Sequence, residues 1–383
     1  MPEQTSRQAR IIGGGIAGLA TAIALTRVGW QVTVEEQAPA FTEVGAGLQI
    51  SPNGARALMA LDLFDTVVEK AFRPEAAVMR DGISGFEVLR VPLGEAAVSR
   101  WGAPYLHLHR ADLMACLAQA AEALGVNLKA GVKVEPGTFQ TGEGLPLTII
   151  AAGARSGFAK RKPEFTGQVA WRALVPSDRL PSDLIAPEAT VWAGSGRHVV
   201  TYYLRGGALV NIVAVEEREV WAKESWSEPG DPDQLRAAFA GWHPAIETLL
   251  EKVETCFLWG LHDRPVMLVL HPNNTVLIGD AAHHTLPFLA QGAAMGLEDA
   301  VTLAQCLEGR EVPVALARYT ALRRDRVARV YETSRRNAEL FHMRDPLQRV
   351  LSRGPMVLAS RLLPGVAAAQ LDWLYGFDVM EAP

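Results

Sequence analysis

Residues 11–36 contain a glycine triplet between two short apolar segments, and this run constrains the fold more than any other part of the chain. It reads IIGGGIAGLATAIALTRVGWQVTVEE, which predicts a strand, a turn, an alanine-rich helix and a second strand that ends in two acids. In such a unit Gly13 permits a tight turn, Gly15 lets the backbone approach a pyrophosphate, and Gly18 lets helix and strand pack closely. Free N–H groups at the start of the helix face the phosphates. The run therefore predicts a βαβ unit that binds a dinucleotide.

An acid after the second strand completes the pattern. Glu36 lies 18 positions after Gly18, close to the spacing of roughly 20 residues at which an acid accepts hydrogen bonds from ribose hydroxyls. We predict this role for Glu36 rather than for its neighbour Glu35. FAD and NAD sites share the glycine triplet, so the motif alone leaves the identity of the dinucleotide open.

The bulk properties narrow the class of protein. A length of 383 residues exceeds the size at which single cores stop growing, which predicts two domains. The net charge of −5 argues against a nucleic-acid-binding protein. The three cysteines form no CxxC pair and the histidines form no HExxH motif, so we expect no metal site.

The first ten residues lack the apolar core of a signal peptide, and no apolar stretch has the length of a membrane span. We expect a cytoplasmic protein without integral membrane contact.

The order of strand and helix signals predicts interleaved domains. We predict an α/β protein with a Rossmann-like nucleotide-binding domain, an inserted antiparallel β-sheet domain for the substrate, and C-terminal helices. Apolar and polar residues alternate in the inserted region, as expected for a sheet with one covered face. The predicted boundaries are 1–75, 100–163 and 268–345 for the nucleotide-binding domain, 76–99 and 164–267 for the sheet domain, and 346–383 for the C-terminal helical segment. Residues 133–135 are predicted as a strand, and the arginine-rich run 314–343 as a helix with a solvated, salt-bridged face.

A second motif lies at residues 276–299, which read VLIGDAAHHTLPFLAQGAAMGLED. An apolar strand ends at Gly279 and Asp280, and Gly292 begins a helix. An acid at a strand end can hydrogen-bond sugar or ribityl hydroxyls, and a helix start can direct N–H groups at an electron-rich ring edge. The alternative interpretation is an ordinary connection between a strand and a helix.

With these motifs the chain resembles the group A flavoprotein aromatic monooxygenases, in their salicylate hydroxylase-like branch. The resemblance covers nearly the whole chain. The segments that carry it are GGGIAGLATAIAL at 13–25, VGAGLQISPNGARAL at 44–58, LHLHRADL at 106–113, GDAAHHTLPFLAQGAAMGLEDA at 279–300 and WLYGFD at 373–378.

The resemblance implies a bound FAD, which NADH or NADPH reduces during a transient visit. Oxygen then adds to the flavin, and the C4a-hydroperoxyflavin hydroxylates a small aromatic substrate such as a salicylate-like or hydroxybenzoate-like compound. The resemblance also implies the residues of the flavin site. The ADP half would be held by Gly13, Gly15, Gly18 and Glu36. Arg110 would lie near the flavin and pyrophosphate, and Asp280 would bind the ribityl chain. Gly292 and Ala293 would direct N–H groups at the flavin N1 and O2 edge, and Pro287 would lie beside the isoalloxazine ring.

The chain departs from the family at two positions. Ala152 stands where the family usually has the acid of an Asp-Gly pair that serves both the flavin and the nicotinamide cofactor, and His284 stands where the family commonly has proline. A second hypothesis is therefore a flavin-binding protein with weak or absent NAD(P)H-driven monooxygenation, or one reduced by a partner. An NAD-dependent dehydrogenase fits the first motif alone.

A histidine is the natural base for deprotonating a phenol, because its unperturbed pKa is near 6.5. His198 is our first candidate, since Tyr202 lies four positions later on the same face of a predicted strand, and related hydroxylases share this spacing. The alternative is a half-buried sheet histidine.

Other side chains suggest further roles. His283 and His284 follow as candidate bases, His107 and His109 as packing residues, Arg172 and Arg197 as partners of a carboxylate, and 351–371 as a possible homodimer contact.

Overall fold

The computed structural model describes residues 7–42, 47–137, 147–159, 161–219, 221, 228–266, 270–271 and 274–381. The predicted VGAG turn at 44–47 therefore lies outside the described residues except for Gly47. The strands are β1 (Gln8–Ile12), β2 (Gln31–Glu36), β3 (Gly47–Ile50), β4 (Ala76–Asp81), β5 (Glu87–Pro92), β6 (Leu106–His109), β7 (Asn127–Ala130), β8 (Leu147–Ile150), β9 (Glu164–Pro176), β10 (Ala189–Gly194), β11 (Arg197–Leu204), β12 (Leu209–Glu217), β13 (Glu228–Gly230), β14 (Cys256–Asp263), β15 (Leu270–His271) and β16 (Thr275–Leu277).

The helices are α1 (Ile16–Arg27), α2 (Pro52–Ala60), α3 (Phe64–Val68), α4 (Gly94–Trp101), α5 (Arg110–Ala123), α6 (Pro232–Ala238), α7 (Pro244–Glu251), α8 (Asp280–His283), α9 (Gly292–Leu307), α10 (Val312–His342), α11 (Pro346–Leu362), α12 (Pro364–Ala369) and α13 (Asp372–Tyr375).

The first sheet contains the predicted βαβ unit. Its six strands follow the order β15-β16-β8-β1-β2-β7, and all neighbouring pairs are parallel except β15 with β16. The strands β8 and β16 are mostly apolar and fully buried, as expected in a parallel sheet covered on both faces. Helix α1 packs against α5 and α9 through small side chains. A Cβ atom at Gly296 would lie 3.1 Å from the Cβ of Ala17, which shows how closely α9 approaches α1.

The second sheet has eight strands in the order β13-β14-β9-β12-β11-β10-β4-β5. All of its strands lie within the two ranges predicted for the substrate sheet, 76–99 and 164–267. The sheet is antiparallel as predicted, except that β10 pairs with β4 in parallel. One face of this sheet packs on α6 and α7, and residues such as Val199 and Trp171 fill that core. The opposite face is turned toward the first sheet.

Three local predictions are corrected by the structure. Residues 94–101, at the end of a region predicted as short strands, form helix α4, and the predicted strand at 133–135 has no regular structure. The solvated face predicted for 314–343 is wrong at Arg323 and Arg326, which are buried in ion pairs. The C-terminal segment is helical as predicted, and α11 and α12 pack against β5. None of the helices in the described part of the chain has the length and apolar composition needed to cross a membrane.

Candidate active site

A cavity of about 710 Å³ lies between the two sheets, within the range of roughly 300–1,000 Å³ of small-molecule sites. One wall is formed by residues that follow the carboxyl ends of β1, β8 and β16, namely Gly15, Ala151 and Gly279. The other wall is the free face of the eight-stranded sheet. Ligands of open α/β sheets bind at the carboxyl ends of the strands, so this position agrees with a nucleotide site.

The three glycines of the first motif have different surroundings in the turn after β1. Gly13 has a φ of +104°, and a Cβ atom there would lie 2.5 Å from the carbonyl oxygen of Ala151. A Cβ atom at Gly18 would collide with the carbonyl oxygen of Gly13. At Gly15 no heavy atom would lie within 4 Å of an added Cβ, and this residue lines the cavity. Gly13 and Gly18 therefore form the turn, whereas Gly15 leaves backbone open to a ligand.

The two acids at the end of β2 point to different partners. The carboxylate of Glu36 accepts hydrogen bonds from the backbone N–H of Gly14 at 2.7 Å and of Ala38 at 2.8 Å. Glu35 instead forms an ion pair with Arg10 at 2.6 Å. Glu36 thus lies at the glycine turn, where the ribose role requires an acid, although it is not part of the cavity wall. The role of Glu36 in binding a ribose stays a prediction.

The second motif forms the part of the cavity wall opposite the substrate sheet. Asp280, Pro287, Gly292 and Ala293 all line the cavity, together with Arg110 at the start of α5. Gly292 begins the 16-residue helix α9, whose first N–H groups have no partner within the helix. A Cβ atom at Gly292 would have only the Oδ1 atom of Asp280 nearby, at 4.0 Å. The open backbone at Gly15 and at Gly292 fits a dinucleotide that carries an electron-rich ring.

Asp280 and His284 affect each other's charge in this wall. Their Oδ2 and Nδ1 atoms are 3.8 Å apart, and the Nε2 atom of His284 lies 3.1 Å from the carbonyl oxygen of His262. Burial alone would raise the pKa of Asp280, but the nearby imidazole of His284 lowers it below its ordinary value. Burial also opposes protonation of His284, yet Asp280 raises the pKa of its imidazole. An ionised Asp280 is thereby favoured.

His283 belongs to a buried ion-pair network and is not part of the cavity wall. Its Nε2 atom is 2.5 Å from Oδ2 of Asp299, which also accepts the backbone N–H of Gly279 at 2.8 Å. Arg323 donates to the other oxygen of Asp299 at 2.7 Å and to Glu298 at 2.6 Å. These contacts hold the start of the second motif, at Gly279 and His283, against α9 and α10. His283 is therefore a structural residue, and the hypothesis that it serves as a base is wrong.

His198 and Tyr202 both line the cavity from one face of β11, as their spacing predicts. His198 is buried, and its Nδ1 atom lies 2.6 Å from Nε2 of His342. Burial and the neighbouring His342 hold the pKa of His198 well below its ordinary value. Burial raises the pKa of Tyr202, against the opposing effects of the neighbouring Arg172 and Asn211. Sequence reasoning missed His342, because a single histidine at a helix end carries no recognisable pattern.

The two arginines considered for a carboxylate have different surroundings. Arg172 on β9 lines the cavity, and its guanidinium carbon lies 4.1 Å from the centre of the Trp259 ring. Arg197 donates to the backbone carbonyl of Ala238 and is not part of the cavity wall. The remaining predicted residues have packing roles. The ring of His107 lies 4.7 Å from that of Tyr202, burial lowers its pKa to about 3, and His109 accepts the N–H of Ala111 at the start of α5.

Ala152, the departure from the family pattern, lies at the base of the glycine turn. It is half-buried and packs on an apolar cluster that includes Ile12, Ile150 and Leu277. Its neighbours Ala151 and Gly153 line the cavity. Across the described ranges, no three His, Cys, Asp or Glu side chains come together in a way that could hold a metal ion.

Comparisons with known proteins agree with this geometry. A family described as "FAD binding domain" matches residues 210–334. The chain is 36% identical to a 3-amino-4-hydroxybenzoate 2-monooxygenase of Streptomyces platensis, over 96% of this chain and 95% of that protein. It is 33% identical to a 3-hydroxybenzoate 6-hydroxylase of Polaromonas naphthalenivorans, over 96% of each. The solved structure of a salicylate hydroxylase substrate complex superposes with a TM-score of 0.78 at 25% identity, over 99% of this chain and 97% of that one.

Proposed function

Because the chain belongs to the FAD-dependent aromatic monooxygenases, we propose that it hydroxylates a single-ring aromatic carboxylate that carries a phenolic hydroxyl. The reaction consumes O2 and NADH or NADPH. The observation that carries the proposal is the pairing of a cation, Arg172, and a neutral imidazole, His198, on one face of the substrate sheet. The two side chains flank an apolar strip in the same cavity as the nucleotide-binding turn.

The glycine turn and two acids form the proposed cofactor site. Gly13, Gly15 and Gly18 shape the turn for the pyrophosphate, and Glu36 is positioned to share its carboxylate with a ribose hydroxyl. An ionised Asp280 suits the hydroxyls of a ribityl chain. When bound, FAD accepts the hydride and activates O2, chemistry that no side chain supplies.

The remaining positions of the flavin site come from the cavity wall. Gly292 and Ala293 line the cavity, and their N–H groups at the start of α9 would bind the N1 and O2 edge of the ring. Pro287 forms the adjoining wall, and Arg110 lies in the same cavity.

The proposed substrate site lies between Arg172 and His198. Arg172 on β9 is in register with Val213 on β12, which is in register with Val200 on β11, two residues from His198. With strands roughly 4.8 Å apart, the backbones that carry Arg172 and His198 are on the order of 10 Å apart. Val213 and Val200 line the cavity between them. A benzene ring fits on this apolar strip with its carboxylate at Arg172 and its hydroxyl at His198.

His198 is the proposed acceptor of the phenolic proton. His198 is neutral near pH 7 because burial and His342 lower its pKa. Its Nδ1 atom is hydrogen-bonded to His342, which leaves Nε2 to accept the phenolic proton. The rings of Phe288 and Phe341 lie 5.1 and 5.3 Å from the His198 ring and keep water away from it. Removal of the proton makes the aromatic ring more electron-rich, which favours its attack on an electrophilic oxygen.

The test begins with the absorption spectrum of the purified protein. NADH or NADPH is added anaerobically, in the presence of 2-, 3- or 4-hydroxybenzoate, and the oxidised flavin bands are followed. We expect one ligand to accelerate bleaching and, after ¹⁸O2 is admitted, a product with one labelled oxygen. Phenol, which lacks the carboxylate, serves as the matched ligand control. Flavin bands that bleach without any hydroxylated product from the panel would contradict the proposed substrate class.

A second candidate is a flavoprotein that depends on a partner for its electrons, and Ala152 is the observation that favours it. An alanine in the apolar cluster beside Gly13 cannot supply the charge that the family motif provides. Bands that resist both nicotinamide cofactors but bleach with dithionite would support this candidate. The variant Ala152→Asp would then restore reduction by NADH or NADPH if the missing acid is the cause.

We also propose a dimer contact and a cellular compartment for the protein. A run of apolar side chains on α11 and just beyond it is exposed, including Leu351, Leu358, Leu362 and Leu363. A second copy of the chain would cover this face, and light scattering of the wild type and of Leu358→Glu would measure its effect on mass. All three cysteines are buried thiols, which suits a reducing compartment such as the cytoplasm.

A further inference from the structure

We propose that His342 and Glu217 form a proton path that connects His198 with solvent. This inference rests on the proposed function, because it assigns the route by which the phenolic proton leaves the cavity. His342 and Glu217 act through His198 and do not contact the substrate. They are therefore positioning and proton-transfer residues for the base rather than catalytic residues.

The path consists of two consecutive contacts. Nδ1 of His198 lies 2.6 Å from Nε2 of His342, and Nδ1 of His342 lies 3.2 Å from Oε1 of Glu217. Burial decreases along this line. The side chain of His342 is 3% exposed, that of Glu217 is 31% exposed, and Arg344, which forms an ion pair with Glu217, is 71% exposed. A buried group is thus linked to the surface by one imidazole and one carboxylate.

The turn between β10 and β11 holds the two relay residues in place. Gly196 donates its N–H to the carbonyl of His342 at 3.0 Å, and its own carbonyl accepts the N–H of Glu217 at 3.1 Å. Gly196 has a φ of +64°, and a Cβ atom there would lie 3.4 Å from Oε2 of Glu217. One glycine therefore fixes the backbones of both residues and leaves room for the carboxylate.

The groups around the path set its direction. His198 faces His342 and the uncharged rings of Phe288 and Phe341. His342 also has Nε2 of Gln168 at 3.2 Å from Nδ1. Gln168 is neutral, whereas the carboxylate of Glu217 requires a donor, so Glu217 favours the tautomer of His342 with its proton on Nδ1. Nε2 of His342 is then an acceptor for the Nδ1 proton of His198.

The transfer balances with one proton entering and one leaving. The phenolic proton binds Nε2 of His198 while the Nδ1 proton of His198 passes to Nε2 of His342. The Nδ1 proton of His342 then passes to Glu217 and on to water. Both imidazoles stay neutral overall, which suits a site where burial disfavours the charged form. The reverse transfer restores the starting tautomers when the product is protonated.

The experiment measures proton release by the FAD-loaded enzyme. Wild type, His342→Gln and Glu217→Gln are mixed with 3- or 4-hydroxybenzoate in a weakly buffered stopped-flow solution that contains a pH indicator. Benzoate, which has no phenolic proton, corrects for binding alone. We expect release to slow about tenfold in both variants, less than the roughly 10²–10⁴-fold effect of losing the acid–base group itself, because these residues act through His198. Flavin content and affinity for benzoate should stay unchanged.

A matched control and a rescue separate proton transfer from structure. Glu254→Gln makes the same chemical change on an exposed carboxylate that pairs with Arg179, and its release should match wild type. Imidazole added to His342→Ala should restore the release rate, which a purely structural role would not predict. Equal release rates in wild type, His342→Gln and Glu217→Gln would overturn the path while leaving a hydroxylating enzyme intact. A wild type that neither binds nor hydroxylates these ligands would overturn the proposed function, and the path with it.

Discussion

The guanidinium carbon of Arg172 lies 4.1 Å from the centre of the Trp259 ring, on the face of the sheet that lines the cavity. This stacking keeps a positive charge in place against an apolar wall. A planar guanidinium held in this way can bind a carboxylate through two parallel hydrogen bonds. The contact between Arg172 and Trp259 therefore supports the proposal that the substrate carries a carboxylate.

The first prediction is that Arg172→Gln weakens the binding of hydroxybenzoates. A hydrogen bond to a charged group contributes about 1.5–3 kcal/mol, which corresponds to roughly 10- to 150-fold in the dissociation constant. Titration of the flavin spectrum with 3-hydroxybenzoate measures the loss, and binding of phenol should change little. Arg197→Gln is the control, because Arg197 contacts the carbonyl of Ala238 instead of the cavity. Equal losses for hydroxybenzoate and phenol would argue against a carboxylate contact.

The second prediction concerns His198. Replacement by alanine removes the base and should lower the hydroxylation rate by about 10²–10⁴-fold while bound FAD remains. The remaining activity should rise with pH, because hydroxide then deprotonates the phenol in solution before it binds. Product formation from pH 6 to 9 measures both effects, with flavin absorbance as the check on folding. Unchanged rates at neutral pH would remove His198 from the mechanism.

Local motifs accounted for the parts of the site that depend on backbone shape. The turn at Gly13 and Gly18 and the open backbone at Gly15 follow from spacing alone, since each feature reflects the absence of a side chain at a defined place in a turn. The face shared by His198 and Tyr202 follows from the two-residue period of a strand. These features are encoded within a few positions of each other.

Contacts between distant segments could not be predicted in this way. The partner of His198, His342, is 144 positions away in the sequence, and no pattern in either segment indicates the contact. Arg323 belongs to a run of arginines that resembles a solvated helix face, and only the tertiary fold buries it beside Glu298 and Asp299. The parallel pairing of β10 with β4 likewise depends on chain topology and not on alternation of side chains.

The third prediction separates two glycines of the same turn. Gly18→Ala places a methyl group against the carbonyl of Gly13, so α1 must move away from the sheet. We expect a lower melting temperature even without FAD. Gly15→Ala meets no protein atom but projects into the cavity, so we expect normal stability of the apoprotein and weaker binding of FAD. Melting curves of the apoproteins and FAD titrations test both, and an equal effect of the two variants would contradict these separate roles.

The fourth prediction concerns the buried ion pairs that Arg323 forms beside the second motif. Arg323→Met leaves Glu298 and Asp299 without their shared cation, and breaking such a pair costs about 3–5 kcal/mol of unfolding free energy. Urea unfolding measures this loss. Arg335→Met is the control, since Arg335 is exposed and lies 3.6 Å from Asp263, and it should change stability by less than about 0.5 kcal/mol. A small effect of Arg323→Met would show that water or rearrangement satisfies the two acids.

The pH dependence of that loss follows from the charge on Asp299. Burial alone would raise the pKa of Asp299, but His283 and Arg323 hold it far below its ordinary value. A carboxyl whose pKa is lower in the folded state contributes stability that is complete above its unfolded pKa, near 3.9, and is lost as the pH falls below that value. Wild type should therefore lose stability steeply below about pH 4. Arg323→Met should show a shallower slope there, because the charge that lowers the pKa is gone. Parallel slopes in the two proteins would assign the acid sensitivity to other carboxylates.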